Sequence, residues 1–202
     1  MRLRLLINKV LHLLEVMHVN TEEKKVYLTF DDGPEGDITD FVLDELKKHS
    51  AKATFFCKGE NVEKNNEQFQ QILEEGHAVG NHTYSHINSF HTKTEVYVND
   101  VIKADKVIHS HLFRPPWGSI TIWAFLKLCF RFKIVYWSLM SGDTEGESLD
   151  INRCMDRLKT STRKGDIVLF HSCKIHEHET KQILPKYLEW LKNEGYKCEK
   201  LN

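Results

Sequence analysis

Seven short runs rich in β-branched and aromatic residues alternate with amphipathic helical patterns along this chain, and that alternation restricts the fold more than any other feature. The runs are 26–30, 53–57, 77–81, 112–113, 134–137, 166–170 and 196–198. Between them the spacing predicts helices over 38–49, 62–75, 94–109, 120–132, 149–160 and 180–193. In the 94–109 helix Val96, Val101, Ile102, Ala104, Val107 and Ile108 are expected to face inward. Strands separated by helices imply a parallel sheet covered by helices, an α/β fold. A barrel and an open doubly wound sheet both satisfy the pattern, and both gather functional residues at the C-terminal ends of strands.

A chain of 202 residues can bury the core of one domain. The net charge of -1 provides no basic field, so a nucleic-acid partner is not expected. The cysteines Cys57, Cys129, Cys154, Cys173 and Cys198 are odd in number and contain no CxxC pair, which predicts free thiols rather than a disulfide framework. Residues 1–24 read as a lead-in to a domain spanning 25–202. Leu3, Leu6, Val10, Leu13, Leu14 and Met17 recur at helical spacing and predict an amphipathic helix over 2–17. Packing against the domain is its expected role, with peripheral membrane contact as the alternative, since Arg2 and Arg4 accompany the apolar face. Asn8, Lys9, His12 and Glu15 interrupt the apolar run, so neither a clear signal peptide nor a membrane span is read there. A cytoplasmic location is expected, with envelope association as the alternative.

The unusual polar residues all fall where strands end. Asp31 and Asp32 close the first run, and two adjacent carboxylates repel unless a cation lies near them. His82 and His86 follow the third run with the i, i+4 spacing that shares a face on a helical turn, so both can reach one ion. Asp-His-His leaves an open position, as a catalytic zinc site requires, although harder divalent metals also suit such donors. Arg114-Pro115-Pro116-Trp117-Gly118 is either a stiff turn or a rigid mount for the Trp117 N–H as an oxyanion donor. A fixed Arg114 can keep a buried carboxylate ionised. His171 ends an apolar run, as a capped core histidine or an acid/base group that Asp143 could orient. His176-Glu177-His178-Glu179 is read as a solvated helix start before a second ion site.

Assembled, these strings resemble the polysaccharide deacetylases, the NodB-homology group of carbohydrate esterases, from about Lys25 to the end of the chain. The motifs run in the family's order: Thr29-Phe30-Asp31-Asp32-Gly33, His82-Thr83-Tyr84-Ser85-His86, Arg114-Pro115-Pro116-Trp117-Gly118, Ser141-Gly142-Asp143 and Leu169-Phe170-His171. The resemblance implies a distorted (β/α) barrel of seven or eight parallel strands. It implies Asp31 as general base, Asp32, His82 and His86 as ligands of one divalent metal, and Arg114 as the holder of the base. It also implies His171 as general acid backed by Asp143, the Trp117 amide as oxyanion donor, and Leu169 with Pro116 in the acetyl pocket. The implied metal is zinc, with cobalt, nickel or iron as alternatives. The implied substrate is an acetylated carbohydrate, an N-acetylglucosamine glycan of the chitin-oligomer or peptidoglycan type. The alternatives are another acyl group (an O-acetyl xylan ester, a formyl group, a small amide) or a silent sugar-binding domain.

Three features depart from the family pattern. Trp117 stands where Tyr is common. Met140 and Thr144 stand where the fourth motif often has Asp and Trp, which removes an expected wall of the substrate groove. Family members acting on cell walls or chitin are mostly exported, and no clear signal is read here.

Overall fold

Neighbouring residues of a strand point to opposite sides of a sheet, and here that rule sorts the interior into two environments. The computed structural model describes residues 15–202. Its strands are β1 (Glu15–Val16), β2 (Lys25–Asp31), β3 (Ala53–Cys57), β4 (Ala78–Asn81), β5 (Leu112–Phe113), β6 (Lys133–Val135), β7 (Leu139–Met140), β8 (Ile167–His171) and β9 (Lys197–Cys198). Its α-helices are α1 (Gly36–Lys48), α2 (Gly59–Lys64), α3 (Asn66–Glu74), α4 (Thr94–Ile108), α5 (Ile122–Leu128), α6 (Ile151–Ser161) and α7 (Glu177–Asn193). The strands pair in parallel in the order β1-β6-β5-β4-β3-β2-β8-β7, with β9 against the foot of β2. This is a curled (β/α) half-barrel, the distorted barrel that the motifs implied rather than a doubly wound sheet.

Val26, Leu28 and Phe30 of β2, Ala53, Phe55 and Cys57 of β3, and Val168 and Phe170 of β8 all turn outward into the helix-covered core. The Phe30 ring stacks on Phe55 at 5.2 Å and leans on Phe170 at 5.5 Å. Each of the buried Val, Leu and Phe side chains contributes about 1.5–3 kcal/mol of transfer free energy. The alternate positions face inward. Phe56, Leu112, Val135, Ile167 and Leu201 form an apolar plug inside the curl. Gly80 of β4 lies directly beneath the Phe56 ring, where a Cβ would collide with it.

The structure adds two strands to those expected. Asp143 follows β7, a strand that the sequence pattern does not predict. β1 falls at the end of the helix expected over 2–17: Glu15 and Val16 are extended and pair with Ile134 and Val135. Val16 packs on the interior plug and its carbonyl accepts the Tyr136 N–H at 2.8 Å. Met17 is exposed in the bend that follows, and residues 2–14 of that expected helix lie outside the described residues. No helix among the described residues is long and apolar enough to cross a membrane.

Two segments depart from their helical periodicity. The 62–75 pattern is two helices, α2 and α3, broken at Asn65, whose side-chain amide donates to the carbonyls of Pro34 and Asn61. Along α4 the buried residues are Tyr97, Val101, Ala104 and Ile108, while Val96 is 53% exposed. The large Tyr97 ring takes the inward position instead. The start of α6 is fixed by local chemistry: Asp150 accepts from the N–H groups of Asn152 and Arg153 at 3.0 and 3.1 Å.

Candidate metal and catalytic site

Inward positions at the C-terminal ends of the strands are polar, in contrast to the plug below them. Asp31 is the last residue of β2 and His171 the last of β8, directly paired in the ladder. Arg114 follows β5 and is wholly buried. Its Nη1 donates to Asp31 Oδ1 at 2.7 Å and to Thr29 Oγ1 at 2.8 Å, while Nε and Nη2 donate to the carbonyls of Val135 and Tyr136. The guanidinium also lies 4.1 Å from the centroid of the Phe56 ring. A buried carboxylate paired this way is held in one orientation. Burial raises the Asp31 pKa, and the Arg114 charge and hydrogen bond oppose that rise.

Asp32 turns off the strand with φ of 76°, and its carbonyl is held by Asn61 Nδ2 at 2.8 Å. Gly33 follows because Ser172 Oγ occupies the space a side chain would need. Asp32, His82 and His86 present one ligand atom each, all within 4.8 Å of one another. The two histidines do not share a helical turn, as their spacing suggested. They lie on a loop in which Thr83 and His86 have positive φ. That loop is pinned by Asn81 Oδ1, which accepts the Thr83 N–H, and by Asp100 of α4, which accepts the N–H groups of Tyr84 and Ser85. Four of the six left-handed non-glycine residues among those described, Asp32, Thr83, His86 and Trp117, lie in these site loops. Such conformations cost on the order of 1 kcal/mol or more each, so the surrounding structure holds them in place.

The trio fits a metal ion on three observations. Asp32 Oδ1 is buried without a hydrogen-bond partner, 3.2 Å from His86 Nε2 and 3.8 Å from His82 Nε2. His82 donates its Nδ1–H to the Arg114 carbonyl at 2.8 Å, which leaves Nε2 as a lone-pair donor facing Asp32. Burial pushes the His82 pKa down to about 3, against the pull of Asp32, and burial lowers His86 as well. Both imidazoles are therefore neutral, the form that binds metal. Among the described residues no other trio converges in this way; His176-Glu177-His178-Glu179 gathers no such set.

Opposite this trio stands His171. Its Nδ1 and backbone N–H are bonded to the two oxygens of Asp143, at 3.2 and 2.6 Å, and Thr180 donates to Asp143 Oδ2. Burial works against the charged imidazole, but the hydrogen bond and charge of Asp143, with Asp31 and Asp32 behind it, prevail and push the pKa up to about 9. Asp31, Asp32, His82, His86 and His171 open on one cavity of about 400 Å³ that is also lined by Glu35, Lys58, Trp117, Trp137, Thr144 and Leu169, with Arg114 and Asp143 buried behind it. Pro116 is buried at the start of a 3₁₀ turn, Pro116–Gly118, and the Trp117 ring sits 4.3 Å from that of His86. Thr144 faces the cavity in place of the indole expected there, and an indole is supplied nearby by Trp137.

The strand-end residues expected from the sequence are thus gathered around one opening. Sequence reasoning passed over Thr29, Asn61, Asn81, Asp100, Trp137 and Thr180. Of these only Thr29 carried a signal, since it is a polar residue two positions before Asp31 on the same strand face.

The fold and site together match one group of proteins. The family model for polysaccharide deacetylases matches residues 18–124. A peptidoglycan-N-acetylglucosamine deacetylase of Bacillus cereus is 36% identical over 182 residues, covering 85% of this chain and 64% of that protein. The chain therefore spans less than two thirds of that relative's length. The crystal structure of the Bc1960 peptidoglycan N-acetylglucosamine deacetylase superposes with a TM-score of 0.86 at 32% identity, covering 93% of this chain and 91% of that one. BA3943 of Bacillus anthracis, described as a pseudoenzyme of the same esterase family, superposes with a TM-score of 0.80 at 25% identity, covering 93% of this chain and 67% of that one. The chain belongs to the polysaccharide deacetylase family.

Proposed function

We propose that this protein is a metal-dependent hydrolase that removes acetyl groups from N-acetylglucosamine residues of a glycan, of the peptidoglycan or chitin-oligomer type. The observation that carries this reading is the juxtaposition, around one cavity, of the Arg114-bound Asp31, the Asp32-His82-His86 trio and the Asp143-bound His171. The names of the relatives supply the acyl group and the sugar.

In this reading Asp32, His82 and His86 hold a divalent ion. Their one-oxygen, two-nitrogen set suits zinc and is shared by cobalt, nickel and iron. The ion, when bound, supplies Lewis acidity toward water and the amide carbonyl. Asp31 takes the proton from the attacking water, and Arg114 favours its charged form against burial and holds it in one orientation. The water oxygen bonds to the amide carbon, and the Trp117 N–H donates to the oxygen on which charge develops. His171 gives its proton to the nitrogen as the carbon–nitrogen bond breaks, because an amide anion is too basic to leave. Asp143 orients the imidazole and favours its charged form. Leu169 and Pro116 frame the acetyl methyl. Acetate and a free amine are the products.

The decisive experiment is an acetate-release assay on N-acetylated chito-oligosaccharides and peptidoglycan strands. Release is expected to stop on chelation and return with zinc. Acetate release that persists in metal-free protein would remove the metal from the mechanism. The pseudoenzyme among the structural neighbours gives a second reading its place, a silent glycan-binding domain. Binding of these glycans with no acetate under any divalent metal would favour it.

A further inference from the structure

We infer that Asp100 is a positioning residue for the metal-binding loop: it sets how tightly Asp32, His82 and His86 hold an ion, although it is not one of the three ligands. The inference rests on the metal-dependent reading and adds to it a residue that no strand-end motif contains. Asp100 lies on α4, 14 residues beyond His86, and its carboxylate closes on the loop between the two histidines. Oδ2 accepts the N–H groups of Tyr84 and Ser85 at 2.8 and 3.0 Å, and Oδ1 accepts the Ser85 hydroxyl at 2.8 Å. These two residues sit between Thr83 and His86, whose φ values of 65° and 55° are ones that residues with side chains rarely adopt. A loop wound through two such residues keeps its shape only while its surroundings hold it.

The helix α4 is the common support of that loop. The Val101 carbonyl, next to Asp100, accepts Asn81 Nδ2 at 2.9 Å, and Asn81 Oδ1 in turn accepts the Thr83 N–H at 2.8 Å. From the other side, the Gly59 and Glu60 N–H groups at the start of α2 donate to the carbonyls of Thr83 and Tyr84 at 3.0 and 3.1 Å. Asp100 is the one side chain here that holds two adjacent N–H groups at once. An apolar group in its place leaves both without their acceptor, and the turn relaxes toward ordinary φ. His82 has an anchor of its own, its Nδ1 on the Arg114 carbonyl at 2.8 Å, so the effect falls mainly on His86. His86 follows the clamped residues directly, and its Nε2 lies 3.2 Å from Asp32 Oδ1.

The test measures zinc affinity of the full chain by competition with a chromophoric chelator. The visible spectrum of the cobalt-loaded form and denaturant unfolding of the metal-free form are recorded beside it. Asp100→Leu is expected to raise the zinc Kd about 10- to 100-fold and to alter the cobalt bands. Asp100→Asn keeps an oxygen acceptor for both N–H groups and loses only a partly exposed charge, so its Kd should stay within about threefold of wild type. Asp100→Glu keeps the charge and displaces the acceptors by one methylene. Its Kd is expected to fall between the two, and it replaces the leucine variant if that one does not fold. Leu191→Ala, a fully buried core substitution on α7, should lower stability and leave the zinc Kd unchanged. A merely structural role for Asp100 would lower the unfolding midpoint and leave Kd and the cobalt bands in place. The inference is overturned by that result, by an asparagine variant as weak as the leucine one, or by equal weakening in Leu191→Ala. Wild type that binds no zinc would remove the metal reading and this inference with it. Wild-type binding matched by every Asp100 variant would remove only the role of Asp100.

Discussion

Phe30 and Asp31 are adjacent in sequence and lie on opposite faces of β2. Phe30 points outward, stacked between Phe55 and Phe170 beneath the helices. Asp31 points inward, where Arg114 and His171 meet it at the mouth of the half-barrel. The outer face is held by apolar volume, which is non-directional and tolerates exchange among residues of similar size. The inner rim is held by charge and hydrogen-bond direction, where one missing atom strands its partner. The same backbone thus carries a stability face and a chemistry face, offset by one residue.

Substitutions on the two faces should separate those roles. The largest effect is expected from Asp31→Asn, which keeps the shape and removes the base. Turnover on an acetylated glycan should fall about a thousandfold or more, while zinc titration by calorimetry still shows one site. Near-normal turnover in that variant would sink the base assignment. On the outer face, Phe30→Ala should cost about 3–5 kcal/mol in denaturant unfolding while the folded fraction keeps its kcat. A matching loss of kcat per folded molecule would show that the two faces are not separable.

Arg114→Met is expected to destabilise by a similar amount, about 3–5 kcal/mol, for a different reason: it leaves the Asp31 carboxylate buried without its cation. Combining it with Asp31→Asn should recover part of that loss. If the double variant is no more stable than Arg114→Met alone, stranded charge is not the cause. The smallest effect is a pH shift. His171 must be protonated to act as acid, so activity is expected to hold below its pKa of about 9 and to fall as pH rises through it. Asp143→Asn removes the charge that opposes burial and should move that alkaline limb to lower pH, by about one unit or more. A limb that stays in place would mean that another group sets it.

Much of the site is legible in the sequence alone. The strand-to-helix alternation predicted a parallel sheet, and in such sheets residues following strands share one rim, which is why Asp31, Asp32, His82, Arg114 and His171 could be grouped. The misreadings have local causes. His82 and His86 carry helical spacing but sit on a loop, because Asn81 and Asp100 capture its backbone N–H groups and stabilise left-handed turns that no periodicity encodes. Asp100 is 14 residues beyond His86 in the chain, and nothing local announces the contact. Trp137 read as the end of a strand, yet it faces the cavity, because the chain leaves β6 there before β7 forms.

What the sequence by itself determined is chemistry and periodicity: which residues can bind metal or move protons, and which face of each strand is apolar. These depend on side-chain type and on a two-residue repeat, both local. What only the tertiary structure decided is partnership. It set Arg114 rather than another cation on Asp31 and left Asp32 Oδ1 without a hydrogen bond between two imidazoles. Those pairings join strands that are far apart in sequence, and they are fixed by sheet order and curvature, which emerge only when the whole chain has buried its outer face.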